Sequence, residues 1–469
     1  MVFEFTLSKL KKAWRGMAGG DFNASVASMN PDLPKRDAKL LREQMEACLS
    51  TKGGEVSARG RAAALGEAYL ALNTTGRKKF LKILAADFDI NPRTVDAAVE
   101  GYRAAAGPGD EGRRALAVLQ RALIAPRITL LTQFNGLPAG VKFLVDLREE
   151  LRSFKEDDPD LNGLEQDLRS LLRTWFDVDF LELRQISWDS APGALLEKLV
   201  QYEAVHAIRD WQDLKNRLES DRRCFAYFHP RMPNEPLIFV EVALVNGLAG
   251  NVAELLDKDA PAQDPDTADT AIFYSISSAQ AGLAGISFGN FLIKRVVDNL
   301  SKEFKQLRTF STLSPIPGFR AWLSKQLADG EGAYLTKGDL KNLAEQGKRM
   351  GREDHRLLAF LSRTDWAEDA ELAQALSEPL LRMAAHYLIN VKHPRGTSLD
   401  SVAHFHLTNG SRIERLNWMA DPSPKGLEQS AGMMVNYLYD LSEIDDNHEA
   451  YTSDGTVRAS AQARAMAKG

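Results

Sequence analysis

The sequence predicts a multidomain protein of the α and α/β class: an all-helical N-terminal bundle over residues 1–175, then a mixed α/β domain over residues 176–469 with a helical insertion. Three observations lead there. From about residue 35 to 175, apolar residues return every three or four positions in a background of Ala, Leu, Arg, Glu and Lys. After Trp175, short runs rich in β-branched and aromatic residues appear between turn-like segments. At residues 271–300, a strand, a glycine-rich turn and a strongly amphipathic helix follow one another.

In order, LREQMEACL, RAAALGEAYLALN and RKKFLKILAADF read as helices, with breaks at AAAGPGDEG and KEDDPDLNG, where Gly, Pro and Asp crowd together. This half pairs no nucleophile with a base, which suits packing and subunit contact. DRRCFAYFH and EPLIFVEVALV read as a two-strand hairpin across PRMPNEP, and AIFYSISS as a third strand. AQAGLAGISFGNFLIKRVVDNLSKEF then gives the turn and a helix with Phe291, Leu292, Val296, Val297 and Leu300 on one side. TFSTLS is a fourth strand, PGFRAWLSKQL a helix starting at or near Pro317, and residues 329–385 an inserted helical stretch. VAHFHLTNGSRIERLNWMAD and MMVNYLYDL read as strands.

The chain has 469 residues, 44% hydrophobic and 26% charged, with a formal charge of -5. Its pI near 6.0 argues against nucleic acid or an anionic membrane as the main partner. Two distant cysteines, Cys48 and Cys224, make neither a disulfide framework nor a zinc site, so a reducing compartment is expected. No apolar run spans a bilayer, and MVFEFTLSKLKKAWRGMAGG reads as a first helix rather than a signal peptide. The expected location is the cytoplasm.

Three places carry candidate chemistry. Gly282, Gly285 and Gly289 leave backbone N–H groups uncovered before a helix start, a seat for a diphosphate or simply a tight turn; the spacing is neither a P-loop nor GxGxxG. In STLSPIPGF, Pro315 restricts the backbone of Ser314 and Pro317 that of Ile316, so the Ser314 hydroxyl is aimed. The same setting also describes a helix N-cap. On a strand, His404 and His406 would share a face, yet no further ligands complete a metal set. A neutral His406 between Phe405 and Leu407 could instead hydrogen-bond a serine, or be a satisfied core histidine. No acidic pair in an evident acid/base setting supports a hydrolase.

Taken together, EAVHAIRDWQDLKNRL, RRCF, AIFYSISSAQAGLAGISFGNFLIKRVVDNL, FSTLSPIPGF, FHLTNGSRIERLNWMAD and NYLYDL resemble the malonyl-CoA decarboxylase family over most of residues 175–440. The resemblance implies a helical oligomerising domain, giving a dimer or tetramer, and a catalytic domain with the Gcn5-related acetyltransferase fold. It implies coenzyme A at the turn, with Gln280, Gly282 and Gly285 loosely following the Q/R-x-x-G-x-G/A pattern and Gly289 closing it. It implies a catalytic Ser314 in SPIPGF, a catalytic His406 in FHL, and Tyr439 of NYxY beside them. Ser287 of GISFG stands where some members have glutamate.

The implied activity is a carboxy-lyase one, malonyl-CoA to acetyl-CoA and CO2, with no metal and no added cofactor. Ser314 acts as an aimed donor to charge developing on oxygen, and Phe319 and Trp418 are candidates for a poorly hydrated pocket. A coenzyme A-dependent acyltransferase acting on an amine, or a non-catalytic acyl-CoA sensor, would use the same fold.

Overall fold

The computed structural model describes Trp14 and residues 29–50, 54–105, 109–219, 221–286, 292–328, 330 and 334–468. It divides into two compact units. The first holds the chain up to Glu182 together with the segments Phe228–Leu237 and Ala279–Phe288; the second holds Leu183–Tyr227, Ile238–Ser278 and the chain from Gly289 on.

The first unit is built on the helices Lys35–Leu49, Gly54–Ala71, Thr74–Asp87, Pro92–Ala104, Asp110–Ala122, Pro126–Gln133, Gly140–Lys155 and Asn162–Trp175. Local signals fix their ends: Asn73 accepts from the Gly76 N–H, and Asn91 accepts from Arg93 and Thr94 just before Pro92. Much of the helix Gly140–Lys155 is buried, and the ring of Phe143 packs edge-on against Trp14 and Tyr69.

The second unit is organised by a mixed sheet, whose second and third strands run on into the segment Phe228–Leu237 counted with the first unit. The strands are β1 (Glu182–Ile186), β2 (Arg222–His229), β3 (Met232–Val245), β4 (Thr270–Ser278), β5 (Thr309–Thr312), β6 (Ser314–Pro315), β7 (Arg412–Asn417) and β8 (Met434–Leu438). Their order is β1-β2-β3-β4-β5-β8-β6, with β7 pairing β8 off this path. β3 and β4 are antiparallel, whereas β5 runs parallel to β4 with Phe273 opposite Thr312. A parallel neighbour needs a crossover, supplied by the helix Leu292–Glu303, whose buried face is Leu292, Ile293, Val296, Val297 and Leu300. The expected Phe291 of that face lies outside the described residues.

The insertion forms the helices Lys337–Arg349, Leu357–Leu361 and Ala370–Ile389, which bury a common core with Phe319, Trp322, Tyr387 and Leu407. Two expectations are corrected. Residues 401–408 form a helix, Ser401–Thr408, not a strand, because Asp400 caps it by accepting from the Val402 and Ala403 N–H groups. The helix after SPIPGF is Phe319–Leu327 with Gly318 at its N-cap position and no side-chain cap, so Ser314 is not its cap. Strand character resumes only at Arg412.

Candidate functional site

Ser314 sits where the chain leaves β5 and pairs again as β6, opposite Val435 of β8. The loop that follows has little freedom. Pro315 and Pro317 have no N–H, the Ile316 N–H goes to Ser430 Oγ at 3.1 Å, and the Gly318 N–H goes to Asp400 Oδ2 at 3.1 Å. The serine is therefore fixed by its sequence neighbours and by two distant acceptors.

The structure brings Ser314, His406 and Tyr439 into one line of hydrogen bonds. Ser314 Oγ lies 3.0 Å from His406 Nε2, and the Tyr439 hydroxyl lies 2.8 Å from His406 Nδ1. Ser314 is 6% exposed, His406 2% and Tyr439 2%, so the serine is the most accessible member. The Tyr437 ring stacks on the imidazole at 4.5 Å and 23°. Tyr437 on β8 and Tyr439, one residue past its end, stand two apart in the chain, and both meet the imidazole.

Burial sets the charge of this line. With no water to solvate a cation, the His406 pKa is pushed down to about 3, and burial drives that of Tyr439 well above the ordinary phenol value. The imidazole is therefore neutral near pH 7 and carries one N–H, so it donates on one side and accepts on the other. Ser314 Oγ also donates to Thr312 Oγ1 at 2.9 Å, and that oxygen accepts the Tyr437 N–H at 3.1 Å.

Helical geometry separates His404 from His406, since successive residues turn by about 100° and positions two apart face away from each other. His404 Nδ1 meets the Tyr451 hydroxyl at 2.8 Å. Among the described residues no group of three or more His, Cys, Asp or Glu is placed to hold a metal ion. Phe319 packs on Trp322 and Tyr387, and Trp418 on Trp366.

The glycine-rich turn belongs to the first unit. Gln280 is buried and donates its amide N–H to the Pro236 carbonyl at 2.9 Å. Gly282 is needed for close approach: a Cβ there would lie 1.8 Å from the Val145 carbonyl oxygen. Gly285 has φ +75, in the left-handed region. The Leu283, Ala284 and Ile286 N–H groups bond to carbonyls within the turn. Three guanidinium groups gather around it: Arg148 donates to the carbonyls of Gly282 and Ala284, Arg152 to that of Ala281, and Arg169 to that of Gly285. Gly289 and Ser287 lie outside the described residues.

Thr312, Asp400, Tyr437 and these arginines escaped the sequence reading. Thr312 and Tyr437 stand two residues before Ser314 and Tyr439, so strand alternation signals both. Asp400 before an apolar run is a helix-start signal. The arginines reach the turn from more than a hundred residues away, which local patterning does not show.

The family model described as malonyl-CoA decarboxylase C-terminal domain matches residues 179–469, and that of the N-terminal domain matches residues 88–176. A goose (Anser anser anser) protein named malonyl-CoA decarboxylase, mitochondrial, is 40% identical over 355 residues, 73% of this chain and 69% of that protein. The rat (Rattus norvegicus) protein of the same name is 39% identical over 367 residues, 74% of each. The crystal structure of malonyl-CoA decarboxylase from Rhodopseudomonas palustris superposes with a TM-score of 0.83 at 39% identity, covering 91% of this chain and 99% of that one.

Proposed function

The chain belongs to the malonyl-CoA decarboxylase family, and from that premise we propose that it converts malonyl-CoA to acetyl-CoA and CO2 with Ser314, His406 and Tyr439 as its working residues. The observation that carries the assignment of roles is the line from the Tyr439 hydroxyl through both imidazole nitrogens to Ser314 Oγ, closed off from water at all but its serine end.

Decarboxylation breaks the bond between the malonyl methylene and its carboxylate. CO2 departs, the bonding pair passes into the thioester as an enolate, and a proton taken up at carbon gives acetyl-CoA. The enolate oxygen is where charge develops, so a fixed donor there lowers the barrier. When the Tyr439 O–H donates to Nδ1, the single imidazole N–H stands on Nε2 and donates to Ser314 Oγ. The serine proton is then directed onward, to Thr312 Oγ1 or to a substrate oxygen in its place. This polarity makes Ser314 a donor rather than a nucleophile, which would need Nε2 as the acceptor. The reaction balances without an added cofactor.

The turn with Gln280, Gly282, Gly285 and Gly289 is the seat assigned to the coenzyme A diphosphate. Arg152 and Arg169 support this, because they donate to the turn's carbonyls and bring positive charge beside it, while the charge of buried Arg148 is paired with Glu165. Among the described residues no single helix is long and apolar enough to cross a membrane. The two cysteines are free and buried, in keeping with a reducing compartment such as the cytoplasm. Exposed Leu116, Val118, Leu123 and Ile124 in the helical unit support self-association as a dimer or tetramer.

The test is to incubate purified protein with malonyl-CoA and no added metal or cofactor. Acetyl-CoA and CO2 appearing in equal amounts is the expected result. Untouched malonyl-CoA with acetyl-CoA consumed only when an amine is present would make the protein an acyltransferase, and binding without turnover would make it a sensor.

A further inference from the structure

We propose that Asp400 is a positioning residue for the decarboxylation, holding the Ser314 loop and the His406 helix to one another; this rests on the reading of Ser314 and His406 as the working pair. Asp400 is 1% exposed, and its two oxygens face different parts of the site. Oδ1 accepts from the Val402 and Ala403 N–H groups, each at 3.0 Å, and so caps the helix whose second turn carries His406. Oδ2 accepts the Gly318 N–H at 3.1 Å, four residues after Ser314 on the same proline-stiffened loop. The Tyr387 hydroxyl also hydrogen-bonds the carboxylate.

Why this residue and no neighbour follows from the loop itself. Between Ser314 and the helix at Phe319, the available donors are the Ile316 and Gly318 N–H groups, and only the second goes to the element that carries His406. A Cβ at Gly318 would lie 2.3 Å from the Tyr387 hydroxyl oxygen and 3.3 Å from Oδ2, so the glycine lets the loop come down onto the carboxylate. The hydrogen bonds of Asp400 go to the loop and helix backbone and to Tyr387, not to Ser314 or His406, yet the contact between those two at 3.0 Å depends on the loop and helix keeping their separation. Displacing one by an ångström would lose much of the aimed donor while leaving the turn at Gly282 unchanged.

Measure kcat and KM for malonyl-CoA in the wild type, Asp400→Asn, Asp400→Ser and Ser314→Ala, with unfolding midpoints for each. Asn keeps a capping oxygen for Val402 and Ala403 but turns an amide N–H against Gly318. Ser also caps, is too short to reach Gly318, and introduces no opposing donor, so it serves if the Asn variant does not fold. Expected in the folded variants is a fall in kcat of about ten- to a hundredfold with KM within about twofold. Turnover within about threefold of wild type would overturn the proposal, as would a fall in kcat matched by an equal rise in KM. Ser314→Ala separates the two readings: if it is slow and the Asp400 variants are normal, only the role of Asp400 falls, whereas a fully active Ser314→Ala removes the site itself.

Discussion

Replacing His406 by glutamine should make the protein less sensitive to acid. In the unfolded chain an imidazole titrates near 6.5, but in the folded protein burial pushes His406 down to about 3. Between those values the unfolded state takes up a proton that the folded state refuses. Stability is therefore full above the unfolded pKa and is lost as pH falls toward the folded one. At pH 5, roughly 1.5 units below the unfolded value, this single group costs about 2 kcal/mol relative to pH 8, at about 1.4 kcal/mol per unit. The size depends little on the folded pKa, since any value below about 4 leaves the imidazole neutral at pH 5. Urea unfolding of wild type and His406→Gln at pH 8 and pH 5 isolates the effect, because His206, His229 and His404, whose pKa values are also lowered, are common to both proteins. Wild type should lose about 2 kcal/mol more than the variant between the two pH values. Equal losses would mean that the imidazole is not held neutral by burial, and the polarity assigned to the Ser314 contact would fail with it.

Removing the hydroxyl in Tyr439→Phe takes away the 2.8 Å contact with His406 Nδ1 that the proposed mechanism uses to set the tautomer; kcat should fall about tenfold, with KM for malonyl-CoA little changed, and unchanged turnover would deny the phenol that role. In Gly282→Ala the new methyl meets the Val145 carbonyl oxygen at 1.8 Å, backbone against which the turn cannot yield. A loss of about 1–3 kcal/mol in urea unfolding and a raised KM are expected, and a variant unchanged in both would show that the turn is neither tightly packed nor part of the coenzyme A site.

Most of the architecture is legible in the sequence because its signals are local. Apolar residues at helical spacing mark the helices Lys35–Leu49 and Thr74–Asp87, and Phe225 to Phe228 with Leu237 to Val245 mark the hairpin. Ser314 stands out because two prolines restrict its neighbours, and the structure adds the acceptors that complete the restriction. The helix carrying His406 is not legible in the same way. Its eight residues are apolar on several sides and lie in a core with Tyr437 and the insertion, so VAHFHL alternates no less than a strand would. Asp400 at the start was the deciding signal, and its second bond, to Gly318, is a tertiary contact across 82 residues that no local rule supplies. The arginines clasping the glycine-rich turn are hidden for the same reason, since Arg148 reaches Gly282 across 134 residues.

The most direct measurement is the rate of CO2 release from malonyl-CoA by folded Ser314→Ala beside wild type at saturating substrate. Alanine removes only the hydroxyl that faces His406 Nε2 at 3.0 Å. Losing a preorganised donor of this kind costs about 3–4 kcal/mol of transition-state stabilisation, so kcat should fall about a hundred- to a thousandfold while KM stays near that of the wild type. Turnover near the wild-type rate in a folded Ser314→Ala protein would contradict the assignment of Ser314 as the donor on which the reaction depends.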